Sequence, residues 1–161
     1  MIRIVEENLV RQNKGMILLK VLLEEEFARL MNRDPRGVSQ IELSIQELLR
    51  QLSVERLSLR NLVKRVDPAV ERIRELRNSM DEEAFNVLDE LLEMLDKTEQ
   101  QCAVQASKNH ELAKALQDQS KSLLDFMHKE IQPKNNDAYS AKGRFAKAAS
   151  NSQPHILRGR L

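Results

Sequence analysis

"VSQIELSIQELLRQLSVERLSLRNLVKRV", residues 38–66, decides the fold. Val38, Ile41, Ile45, Leu48, Leu52, Leu59, Leu62 and Val66 recur in steps of three and four, with Glu55 the one polar residue in that register. Such a series shares one face only on a helix, and that face has to be buried against another helix. "SQIE", Ser39 to Glu42, has the form of a capping box, which would satisfy free amides at a helix start. The pattern predicts a helix over about residues 39–66.

The preceding stretch supplies the partner. Ile2, Leu9, Met16, Leu23 and Leu30 are spaced by seven, with Val5 and Leu19 in the alternate slot and Gln12 and Glu26 breaking it. This predicts a helix over about 2–31, closed by "NRDPRG", where Pro35 stops it and Gly37 permits a turn. Two helices of roughly 40 Å, at about 1.5 Å per residue, joined by so short a turn form an antiparallel hairpin.

On the C-terminal side, "DPAVERIREL" offers Asp67 as N-cap and Pro68 at the first helical position, with Val70, Ile73 and Leu76 as a short apolar face. A short helix over about 68–77 is expected. "SMDE" repeats the capping-box form with Ser79 and Glu82. No Gly or Pro interrupts the chain from there to Ile131, so one long helix over about 80–131 is predicted. It carries two apolar faces, one of Phe85, Leu88, Leu92 and Leu95, the other of Leu112, Leu116, Leu123 and Met127. Between them "DKTEQQCAVQASKNHE" is nearly polar. Met16 and Met94 read as core, whereas Met127 lies with Leu123 and Phe126 where the bundle partners should run out. A half-covered Leu/Met face of that kind invites a partner helix.

Composition agrees. Hydrophobic residues make up 41% and charged residues 32%, but aromatics only 3%. That mixture favours helix over sheet. The expected architecture is all-α: an antiparallel hairpin within a three-helix bundle, one long C-terminal helix, and a flexible basic tail. The expected organisation is a helical bundle over residues 1–131 followed by a tail over 132–161. Net charge is +1, but the tail holds six Lys and Arg against one Asp, a net of +5, leaving −4 for residues 1–131. Pro133 begins the tail, and "KNND" and "SNSQPH" have turn or disorder composition. Tyr139, the single tyrosine, falls here with Phe145 and several alanines, enough for a helix induced on a partner.

Several chemistries find no support. The four glycines, at 15, 37, 143 and 159, form no phosphate-binding loop. Cys102 is the single cysteine, so no intramolecular disulfide and no thiolate zinc cluster is expected, and it reads as a small hydrophobe on the long helix. Asp125 and His128 are three apart on one helix face, a spacing used in carboxylate-bridged metal sites, but no second matching pair accompanies them. No Ser/His/Asp arrangement stands out. No catalytic residue, metal or cofactor is expected. No run of about 18 apolar residues occurs, so no membrane insertion is expected, and the N-terminus lacks the form of a signal peptide. A cytoplasmic binding protein fits these features. The basic tail leaves three readings open: nucleic acid, an anionic membrane surface, or a segment that folds on a protein. The last accounts for the aromatic and alanine positions as well as the charge.

The chain resembles the FlgN-like family of flagellar export chaperones. The resemblance rests on "LLKVLLEEEFARLMNRD" followed by "IELSIQELLRQLSVERLSLRNLV", on "NHELAKALQDQSKSLLDFM", and on the ending "DAYSAKGR", similar to a Tyr-x-x-x-Gly element near the family's C-terminus. It implies a small helical chaperone of the type III flagellar export system, without enzymatic activity. Such a chaperone binds hook–filament junction (hook-associated) proteins and docks on the cytoplasmic domain of the export gate. It further implies that Leu112, Leu116, Leu123, Phe126 and Met127 belong to the surface that captures the client's helices. Tyr139 matches the gate-docking tyrosine, with Gly143 allowing a turn after it and Arg144 supplying steering charge. A second copy of the chain is the other expected partner, pairing while no client is bound. Another helical secretion adaptor, or a nucleic-acid or membrane-surface binder acting through the tail, is the alternative reading.

Overall fold

The computed structural model describes residues 2–131. These form three α-helices and one 3-10 helix: α1 (Ile2–Met31), α2 (Pro35–Val66), the 3-10 helix (Ile73–Ser79) and α3 (Glu82–Ile131). The chain divides into two units, Met1–Asp118 and Gln119–Leu161. The first unit is an all-α helical bundle. The described part of the second is the last stretch of α3.

Within the first unit the centres of the expected stripes are buried, and Ile2, Leu30, Val38, Leu48, Leu59, Leu62 and Val66 are half-buried. Val5, Leu9, Met16, Leu19 and Leu23 of α1 pack with Ile41, Ile45, Leu52 and Val63 of α2 and with Leu88 and Leu95 of α3. Met16 is core as expected, but Met94 is exposed, because it sits to one side of the stripe that Leu88 and Leu95 share. α1 and α2 are antiparallel: Asn8 meets Glu55, and Gly15 lies against Leu52. A Cβ on Gly15 would come within 2.7 Å of the Leu52 side chain, so the missing side chain sets how closely the two helices approach. α3 runs back alongside α1. The Cys102 thiol reaches the Met16 carbonyl at 3.6 Å. Seven residues further along both helices, Asn109 Nδ2 donates to the Leu23 carbonyl at 2.8 Å.

The positions that break the apolar stripes carry a polar network. Gln12 is 1% exposed and donates from Nε2 to Asn8 Oδ1 at 2.6 Å. Asn8 Nδ2 donates to Glu55 Oε2 at 2.6 Å, and Arg11 holds the same carboxylate with two bonds of 3.1 Å. Hydrogen bonding to Glu55 pushes the Arg11 guanidinium up from its ordinary value, so it stays charged. Asn13 donates to the carbonyls of Leu9 and Leu91. Glu26 accepts from Asn109 at 2.6 Å. Apart from Asn13 Oδ1, which has no partner among the described residues, these buried polar groups are paired in a single register, so a slipped helix would strand them.

Helix boundaries differ from expectation in three places. α2 starts at Pro35, four residues before Ser39, because Asp34 is its N-cap and accepts from Gly37 N at 2.9 Å. A Cβ on Gly37 would fall 2.1 Å from Asp34 Oδ2, so the glycine serves the cap. The left-handed turn residue is Arg33, at φ 53°. Ser39 Oγ donates back to the Pro35 carbonyl instead of opening the helix. Secondly, no α-helix forms over 68–77. Asp67 ends α2 by donating its N–H to Val63, and its side chain accepts from Ala69 N. The helical turns that follow are 3-10, Ile73–Ser79, burying Ile73 and Leu76. Their spacing of three fits a helix with three residues per turn, where side chains at i and i+3 stack. Thirdly, Ser79 does not cap α3; its hydroxyl donates to Asp67 Oδ2 at 3.2 Å, and α3 begins at Glu82.

Candidate functional site

The residues singled out for partner capture all lie on α3. Leu88, Leu95, Cys102 and Asn109 are spaced by seven and define the face of α3 that the first unit buries. Leu116 and Leu123 continue that spacing. Cys102 and Asn109 therefore carry the stripe through the segment read from sequence as nearly polar, as a small hydrophobe and as a hydrogen-bonded amide.

Burial of the stripe ends within a few residues. Leu112 and Leu116 are half-buried, and each described side chain from 117 to 130 is exposed. Leu123 is 58%, Phe126 60% and Met127 44% exposed. Register in the first unit accounts for where cover ends. α1 stops at Met31, and the same advance along α3 from the Leu23–Asn109 contact reaches about residue 117, at equal rise per residue.

The five predicted residues thus fall into two sets. Leu112 and Leu116 belong to the first unit and Leu123, Phe126 and Met127 to the second. Within the first unit Leu112 and Leu116 share one side of the helix; within the second Leu123 and Met127 do, while Phe126 is turned from them by one residue's rotation. Leu124 is a further apolar residue, 45% exposed, that the sequence reading left out. The contiguous run "LLDFM" was the available signal. Lys121, Asp125, His128, Lys129 and Glu130 complete a polar surround on the same turns.

Among the described residues no group of three His, Cys, Asp or Glu side chains could hold a metal ion. A cleft of about 380 Å³ between α2, the 3-10 helix and α3 is lined by Arg56, Arg60, Arg72 and Arg74 over Val63 and Ile73. Arg56 pairs with Glu99, and Arg74 with Asp89 and Asp96. Its lining contains no histidine, serine or cysteine; its two carboxylates are Glu71 and Asp96, the latter paired with Arg74. The Cys102 thiol is buried, and desolvation pushes its pKa up from 9.0, which keeps it protonated and inert. Among the described residues no helix is long and apolar enough to cross a membrane. Tyr139, Gly143 and Arg144, expected at the gate-docking element, lie outside the described residues.

No curated protein and no solved structure matches the chain. A family model does: that of the FlgN protein matches residues 1–147, which takes in the whole bundle, the exposed end of α3 and the Tyr139–Arg144 stretch. A helical bundle whose longest helix carries a buried stripe onward into an exposed one suits a binding protein. With the family match over most of its length, the chain belongs to the FlgN family of flagellar export chaperones.

Proposed function

We propose that the chain is a cytoplasmic type III flagellar export chaperone that captures hook–filament junction proteins and delivers them to the export gate. The observation that carries this reading is the exposed apolar surface of α3 at Leu123, Leu124, Phe126 and Met127, in a helix whose preceding stripe is core. An amphipathic client helix laid along it would bury those side chains as a bundle partner buries Leu88 and Leu95. In the first unit, Leu112 and Leu116 are half-buried and are proposed as client contacts of their own. Methionine and leucine suit a surface that must accept more than one client sequence.

Gate docking is assigned to Tyr139, with Gly143 and Arg144, by their likeness to the family's Tyr-x-x-x-Gly element. A tyrosine presents a large apolar body and a polar tip with little side-chain entropy to lose, which suits an anchor. Capture and docking then use different residues, and they can be separated. Tagged chain, with and without residues 132–161 and with Tyr139→Ala, is tested for co-purification of untagged junction proteins and of the gate's cytoplasmic domain. Tyr139→Ala should lose the gate and keep the client. Equal loss of both contradicts the division of labour. Client capture should also survive a rise to physiological salt, whereas a nucleic-acid contact through the basic tail would weaken steeply.

A further inference from the structure

Charge is unevenly spread along the bundle. Residues 56–77 carry seven Lys and Arg against three Asp and Glu, a net of +4, within a stretch, 1–131, that sums to −4. Four of those seven, Arg56, Arg60, Arg72 and Arg74, line the cleft of about 380 Å³ between α2, the 3-10 helix and α3. Two are engaged, Arg56 by Glu99 and Arg74 by Asp89 and Asp96. Arg60 and Arg72 are exposed and form no ion pair among the described residues. Against them the lining sets one further carboxylate, Glu71. The Glu75 side chain is turned to the backbone, accepting from Glu71 N at 3.2 Å and from Arg72 N at 3.4 Å, which fixes the chain where Arg72 leaves it.

The floor of the cleft is aliphatic. Val63 and Ile73 are buried, and Leu59 and Leu92 are half-buried. No aromatic ring lines it, so a nucleobase would find nothing to stack on. Its lining has no lysine and no glycine with which to cradle a phosphate chain. Guanidinium groups beside aliphatic side chains match a different ligand, a peptide in which carboxylates adjoin leucine or isoleucine. The planar fork takes a carboxylate with two parallel bonds, and the neighbouring methyl groups leave water. We propose that this cleft is a docking site for an acidic, leucine-rich segment of a partner protein, with Arg60 and Arg72 holding its carboxylates over Leu59, Val63, Ile73 and Leu92. Its volume is at the low end of the roughly 300–1,000 Å³ of ligand sites, so only a few partner residues enter and the contact is weak by itself. The site lies within the first unit and stands independently of what the exposed end of α3 binds.

Fluorescence anisotropy of a labelled peptide, acetyl-Glu-Leu-Asp-Glu-Ile-Leu-Asp-Glu-amide, titrated with the full chain should show saturable binding. Arg60→Glu/Arg72→Glu should weaken it about tenfold or more at low salt, and Arg60→Lys/Arg72→Lys, which keeps the charge without the fork, should weaken it less. Both positions are exposed, so thermal melts should stay at that of wild type. Lys147→Glu/Arg158→Glu, an equal charge change within residues 132–161, should leave the affinity unchanged. The same peptide with Gln and Asn in place of Glu and Asp should bind far more weakly. Absence of saturable binding, equal affinity for the neutral peptide, or indifference to Arg60→Glu/Arg72→Glu overturns the proposal. So does a loss caused by Lys147→Glu/Arg158→Glu instead, or a single-stranded oligonucleotide that displaces the peptide more readily than unlabelled peptide does.

Discussion

Leu88 and Leu123 sit on the same seven-residue repeat of one helix, yet Leu88 is 1% exposed and Leu123 58%. Neither local propensity nor patterning separates them, since both are leucines within an uninterrupted helix. Cover separates them. Along residues 88–109 the repeat meets α1, whose Met16 and Leu23 carbonyls accept from Cys102 and Asn109. In the second unit the same repeat, at Leu123, is exposed. A stripe whose spacing specifies a buried seam, left open at one end, is what we propose as the seat for another helix. Family membership makes that seat the place to look for an export client.

The sharpest contrast is in stability. Leu88→Ala removes a fully packed side chain and should cost about 2–5 kcal/mol of unfolding free energy. Leu123→Ala should change it by less than about 0.5 kcal/mol. Urea denaturation of the two variants side by side checks the difference, and equal losses would break the distinction. Asn109→Ala comes next. It leaves the Glu26 carboxylate without a buried donor and frees α3 from the Leu23 carbonyl, at a cost of about 1–3 kcal/mol. Amide exchange should then speed up over residues 103–112, moving the boundary between covered and open helix toward the N-terminus. Leu116→Ala, at the half-buried margin, should fall between the two leucines, at about 1 kcal/mol.

The smallest effect is a pH effect at Cys102. Burial raises the pKa of its thiol above 9.0, so the fold favours the protonated form. The contribution is whole below pH 9.0 and is lost as pH climbs through the folded-state value. Cys102→Ala should therefore flatten the alkaline fall in stability slightly, and the native thiol should react slowly with a disulfide reagent near neutral pH. Fast labelling would show that α3 is loosely held at its midpoint.

Much of the bundle was legible because heptads state which faces need burial. Leu9, Met16 and Leu23 on α1 and Ile41, Ile45 and Leu52 on α2 could be placed from spacing alone, and all are core. Gln12 and Glu26 were legible only as interruptions. Of their partners, Asn8 stands beside the α1 stripe, and Asn109 is itself a polar interruption of the repeat that Leu88, Leu95 and Leu116 share. The stretch 67–81 misled for a local reason. Asp67–Pro68 has the chemistry of a helix start, but the Asp67 N–H is spent closing α2. The apolar residues Val70, Ile73 and Leu76 have a period of three, which favours 3-10 turns. At the candidate site, identity and helical phase were readable from Leu112 to Met127. The level at which cover ends was not, because it depends on where α1 stops relative to α3, a tertiary quantity.

The central claim is that the exposed end of α3 is a client seat rather than unfinished core. Titration calorimetry of the full chain with a purified junction protein, comparing wild type with Leu123→Asp and Met127→Asp, tests it most directly when thermal melts of the same samples are recorded. The account predicts that each variant loses client affinity by about tenfold or more while its melting temperature stays at that of wild type. Unchanged affinity would contradict it and move the capture site elsewhere on the bundle.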